Sequence, residues 1–166
     1  MEPIRDSSSG SANDLRARLS IEPEDLGAGV RLAVILELLN GSSQPLAVTN
    51  RPEIRAAIAD ATGRPLPPTA LAASGPVAPL QWAAIPSDAY MGLRIDQRNV
   101  GVPAKAQGLA LIALGAGCWI LGAGVYNLEL TARFDRASGG PDNQWVGELK
   151  LPGVEFEISA RSFGGS

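Results

Sequence analysis

Residues 121–134 read Leu-Gly-Ala-Gly-Val-Tyr-Asn-Leu-Glu-Leu-Thr-Ala-Arg-Phe, and from Tyr126 onward the two kinds of residue alternate. Tyr126, Leu128, Leu130, Ala132 and Phe134 fall on one side, with Asn127, Glu129, Thr131 and Arg133 on the other. That is the period of a half-buried β-strand. Gly122 and Gly124 permit the backbone geometry of a bend just before it. Tyr126 then stands where its hydroxyl can bond back to a backbone group of the 115–123 bend, with the ring buried beside Leu128.

Downstream, residues 137–143 are a turn-rich linker. Residues 145–151 and 154–159 follow as a closing pair of strands around Pro152-Gly153, with Val154, Phe156 and Ile158 facing in and Glu155 and Glu157 facing out. Upstream, the apolar run 109–121 alternates Leu109, Leu111 and Ala113 with Ala110, Ile112 and Leu114. It is too short for a membrane helix, which needs about 20 residues. In 89–95, Met91, Leu93 and Ile95 oppose Tyr90 and Arg94. In 80–85, Trp82 lines up with Leu80 and Ala84, on the leucine side. Residues 64–79 hold five of the chain's 13 prolines, which predicts a long loop or an edge segment.

The alternation of 53–60 predicts a strand, although its helix propensity and Pro52 keep a helix open. Residues 46–49 read as a short strand after a 40–45 turn. Val30, Leu32, Val34, Leu36 and Leu38 share one side of a central strand over 30–39. Leu15, Ala17, Leu19 and Ile21 mark a first strand, and Pro23 with the glycines at 27 and 29 breaks the chain between the two.

So many short strands without a long amphipathic helix predict an all-β chain, a two-layer antiparallel sandwich of about 7–9 strands. The Tyr126 corner, then Trp145-x-Gly147, then a last alternating strand resembles immunoglobulin-like and fibronectin III-like domains, small bacterial ones in particular, over residues 15–160. The cysteine pair of antibody-type domains is missing here. The resemblance implies an immunoglobulin-like β-sandwich serving as a non-catalytic, protein-binding or structural module. One domain is expected over 15–161, between a disordered tail at 1–14 and a flexible tail at 162–166.

Chemistry is sparse in the sequence. It contains no histidine, so His-based catalysis is excluded and the commonest transition-metal ligand is missing. The one cysteine, Cys118, lies between Gly117 and Trp119 in an apolar run and reads as a core residue. Glu155 and Glu157 read as a solvated strand face, and Asp135, Asp142 and Asn143 as turn residues rather than a calcium loop. The glycine pairs at 27/29, 115/117 and 122/124 lack the fingerprint of a phosphate loop. No cofactor, metal or catalytic residue is expected. With a net charge of −3 the chain has no basic patch, so neither nucleic acid nor membrane insertion is expected. Residues 1–14 do not have the pattern of a secretory signal, which favours the cytoplasm without excluding export of a processed chain.

Two readings of function remain. One is a module that binds another protein, or its own kind, through a sheet edge or loops. The other is a small inhibitor or ligand-binding domain using the proline-rich loop 64–79 or the loop 96–108. Trp145, beside Asn143, Gln144 and Gly147, is expected to be partly exposed, and with Pro67 and Pro68 it is the expected partner contact.

Overall fold

The computed structural model describes residues 15–25, 30–70, 80–97 and 109–159; the expected tails at 1–14 and 162–166 lie outside them, as do 71–79 and 98–108 of the two loops. Within this range the chain is all β, with no helix and several sheets. A six-stranded sheet runs β1 (Leu15–Asp25), β2 (Val30–Asn40), β9 (Ala110–Leu114), β10 (Gly117–Leu121), β6 (Thr69–Ala70), with β8 (Tyr90–Arg94) also paired to β2. A four-stranded sheet runs β12 (Gly147–Ile158), β11 (Gly124–Phe134), β4 (Glu53–Asp60), β5 (Pro65–Leu66). A third sheet pairs β3 (Leu46–Thr49) with β7 (Trp82–Ile85). One hydrophobic core draws on all three, from Leu19 and Leu36 through Val48 and Ile85 to Leu130 and Phe156.

The tyrosine strand is internal to its sheet, flanked by β12 and β4. Pairing with it decides residues 53–60: Ala56 opposes Leu130 and Ile58 opposes Leu128, so cross-strand packing overrides the local helix propensity.

The two prolines expected to interrupt strands do not. β1 continues through Pro23, which opposes Leu32. On the neighbouring strand β2, Val34 turns its N–H to the Asp96 carboxylate and its carbonyl to the Ile95 N–H, both away from β1. The Ile21–Val34 pair is therefore a non-hydrogen-bonded one, and so, two residues along, is Pro23–Leu32. The missing proline N–H removes no ladder bond. Likewise β12 is a single strand rather than a pair about Pro152-Gly153. Leu128 opposes Val154 and Leu130 opposes Leu151, so two residues of β12 face Glu129 in a β-bulge, with Gly153 at φ 68°. The extra residue re-phases the alternation: Leu149 and Leu151 are buried before the bulge, and Val154, Phe156 and Ile158 after it. Without it, Glu155 and Glu157 would turn inward.

Not all pairing is antiparallel, as the sandwich expectation required. β2 and β9 run parallel over Val30↔Ala110 and Arg31↔Leu111. The proline-rich segment contributes two short edge strands, β5 and β6, one to each large sheet. β9 and β10 form a hairpin in which β9 is buried on both faces, while Ile120 of β10 is exposed. One face joins the main core, and the other holds Leu111, Ala113 and Cys118 in a second cluster.

Candidate interaction surface

The β7–β8 corner is built around Asn40, a fully buried side chain at the end of β2. Its amide donates to the carbonyls of Gln44 (2.8 Å) and Ile85 (2.9 Å), while its side-chain oxygen accepts from the N–H and hydroxyl of Ser42 (2.9 and 2.7 Å). Its main chain donates to Ala89 and accepts from Asp88. One residue thus ties two turns together and delivers the chain into β8.

At the far end, Arg94 is clamped by carboxylates on both sides. It donates to Glu24 of β1 at 2.8 and 3.1 Å and to Asp96 at 2.8 and 3.1 Å. The hydrogen bonds to Glu24 and then Asp96 hold its guanidinium well above the ordinary arginine value. Asp96 is buried and also receives the Val34 N–H, so its charge is both paired and hydrogen-bonded, as burial demands.

β8 is therefore fixed at both ends and laddered on one side, to β2. The Asn40–Ala89 bond sets the alternation: Met91 and Leu93 turn their main-chain groups to β2, whereas Tyr90, Gly92 and Arg94 turn theirs outward. Tyr90 is 70 % exposed, the most exposed large apolar side chain among the described residues. Gly92 is exposed too, and carries no side chain on the outer face; Met91 and Leu93 are half-buried on the core side. The result is an open sheet edge that joins free main-chain groups to an exposed aromatic ring.

Several other edges among the described residues are closed, short or charged, and β4 beyond its short pairing with β5 presents exposed Glu53 and Arg55. Along β1 the outward-turned residues Leu15, Leu19 and Ile21 are 0 % exposed, which closes that stretch, and the exposed Pro23 beyond them has no N–H to donate. β12 carries Pro152 and the bulge, two devices that hinder edge pairing. β5 and β6 have two residues each, and β7 ends at Pro86.

The residues singled out in the sequence divide. Trp145 is in the core, not partly exposed: it is 6 % exposed and meets the Phe134 ring edge to face at 5.4 Å. Its polar neighbours do not point to solvent on its behalf. Gln144 instead folds back to clamp Ala137 and Pro141, and the main-chain N–H of Trp145 bonds the Ala47 carbonyl at 2.8 Å. Trp82, expected on the buried leucine side, lies with Leu80 (42 % exposed) on the more open side of β7, whose buried residue is Ile85. Pro67 and Pro68 are exposed at the crossing from β5 to β6. There the Trp119 indole donates to the Leu66 carbonyl at 2.8 Å, and Pro68 packs so closely on Gly117 that a Cβ there would lie 2.7 Å from the ring. The Tyr126 hydroxyl donates to the Gly122 carbonyl at 2.9 Å, with its half-buried ring over Gly124 and stacked on Phe156 at 5.6 Å. Buried Cys118 contacts the Thr69 hydroxyl through sulfur at 2.9 Å. Among the described residues no group of acidic or cysteine side chains is arranged to hold a metal ion, and no helix is long and apolar enough to cross a membrane.

Sequence reasoning passed over Tyr90. The signal was there, a tyrosine on the polar phase of a strand two residues before a glycine, yet nothing in sequence says which strand is an edge. Compared with protein-family models, with curated proteins and with solved structures, the chain matches none.

Proposed function

We propose that this chain is a non-catalytic module that binds another protein through the β8 edge, on an immunoglobulin-like β-sandwich scaffold. The observation that carries the reading is Tyr90, 70 % exposed on a strand whose outward main-chain groups at Tyr90 and Gly92 lie open. Such an edge accepts an extended segment as an added strand: main-chain bonds supply affinity, and the aromatic ring supplies an anchor. The Tyr126–Gly122 corner and the core shared between the sheets support the scaffold part of the proposal.

A second reading has its own observation in its favour. Pro67 and Pro68 stand exposed on a crossing stiffened by Trp119 and Gly117, a pre-organised projection of the kind an inhibitor inserts into a cleft.

Photo-crosslinking from position 90 and, separately, from position 67 in native extract separates the two. A defined partner captured from position 90, and lost when Tyr90→Lys is tested in a retention assay, supports the edge. Capture from position 67 alone transfers the function to the proline crossing. Turnover of a substrate by the purified chain would overturn both.

A further inference from the structure

We infer that the partner of the β8 edge is β8 of a second copy, paired antiparallel about a two-fold axis that passes beside Gly92; this rests on the reading of β8 as the interaction surface. The strand is self-complementary. In the one antiparallel register that pairs all five residues of each copy, Tyr90 opposes the second copy's Arg94, Met91 opposes its Leu93, and Gly92 opposes its Gly92. Tyr90, Gly92 and Arg94 are the residues whose N–H and carbonyl groups turn outward, so these pairs exchange roughly six main-chain hydrogen bonds.

Each face then closes with what the partner brings. On the outer face, Gly92 leaves bare backbone on either side of the axis. The exposed Tyr90 ring of one copy lies diagonally across the Gly92 of the other, an aromatic side chain covering a strand glycine. The fold itself asks less of Gly92 than this contact does: an added Cβ would sit 3.2 Å from a methyl of Ile35, a tight contact with a side chain and not a collision with backbone. On the inner face, half-buried Met91 and Leu93, already packed against the main core, meet their counterparts and carry the core across the axis. The guanidinium of Arg94 stays bound to Glu24 and Asp96, so pairing leaves no unmatched cation there. The closed C2 contact also uses up both edges, which stops the sheet from growing further.

Sedimentation equilibrium over a wide range of concentration tests the pairing. The wild type is expected to dimerise with Kd on the order of micromolar, typical of a small interface. Tyr90→Lys removes the ring, and should weaken the dimer by at least about tenfold while leaving the melting temperature of the dilute protein unchanged. Gly92→Cys should form a disulfide-linked dimer under mild oxidation, since directly opposed residues fall within disulfide reach, whereas the parent chain, with Cys118 buried, should not. A wild type that stays monomeric throughout, or a dimer indifferent to Tyr90→Lys and not cross-linked through Gly92→Cys, overturns the inference. In the monomeric case, capture of a different protein from position 90 would leave the edge as a binding surface, so the two failures can be told apart.

Discussion

Replacing Asn40 by alanine removes the joint that holds the β7–β8 corner, and the cost can be worked from its contacts. Four good side-chain hydrogen bonds disappear. The partners on Ser42 and Gln44 lie at the surface and recover water, so each of those bonds contributes about 0.5 kcal/mol or a little more. The carbonyl of Ile85, whose residue is fully buried, is left without its donor, at about 1–3 kcal/mol. The expected loss is therefore roughly 3–4 kcal/mol, a large share of the ~5–15 kcal/mol stability of an ordinary domain. Asn40→Asp is the sharper probe. It keeps the oxygen that accepts from Ser42 but turns the donor into a second acceptor facing carbonyl oxygens, and buries a charge. It should be less stable than Asn40→Ala near neutral pH. Burial among acceptors raises the folded-state pKa of the new carboxyl, so stability is lost as pH rises through that value and recovers as pH falls below it. Urea denaturation of all three proteins, at about pH 5 and about pH 7.5, reads both effects provided the m-values agree. An alanine variant within about 0.5 kcal/mol of wild type, or an aspartate variant at least as stable as alanine at the higher pH, would refute the reasoning.

Three further outcomes follow from the geometry. Tyr126→Phe keeps the ring on Phe156 and removes only a partly buried bond to Gly122, so the loss in chemical denaturation should be about 0.5–1.5 kcal/mol; no loss would detach the hydroxyl from the bend. Gly115→Ala should lower stability by at least about 2 kcal/mol, because Gly115 sits at φ 60° in the β9–β10 turn and a Cβ would overlap the carbonyl oxygen of Ile54 in the other sheet; a neutral result would mean that the hairpin does not press on β4. At the β4 turn, the Thr62 hydroxyl and the Arg64 N–H hold the Asp60 carboxyl below the ordinary value of 3.8. A depressed folded-state pKa contributes stability above the unfolded value that is lost as pH falls through the folded one. The difference in melting temperature between wild type and Asp60→Asn should therefore be widest near neutral pH and shrink below about pH 4; a gap that grew on acidification would contradict the assignment.

The elements legible in sequence are those whose pattern is local. The period-2 runs of β2, β4, β8 and β11 follow from alternation, because one face of each strand meets the core. The prolines misled for a definable reason. Whether Pro23 or Pro152 ends a strand depends on which way the missing N–H would have pointed and whether a bulge takes up the extra residue, and both are settled by partners: Val34 with Asp96 in one case, Glu129 in the other. Trp145 misled similarly, since polar sequence neighbours suggested solvent while its burial comes from Phe134 and Ala47, distant in sequence. The parallel contact of β2 with β9 leaves no local trace. The open edge at Tyr90 required the strand order, because an edge is a property of the sheet and not of the strand.

Site-resolved amide exchange of β8, followed as concentration rises, tests the central claim most directly. In dilute protein the Met91 and Leu93 amides, turned to β2, should be protected, and those of Tyr90 and Gly92 should exchange as open groups. As the edge becomes occupied, the amides of Tyr90, Gly92 and Arg94 should gain protection together while those of Met91 and Leu93 change little. Tyr90 and Gly92 amides already protected at the lowest concentration, or still open when the chain is demonstrably dimeric, would contradict the account.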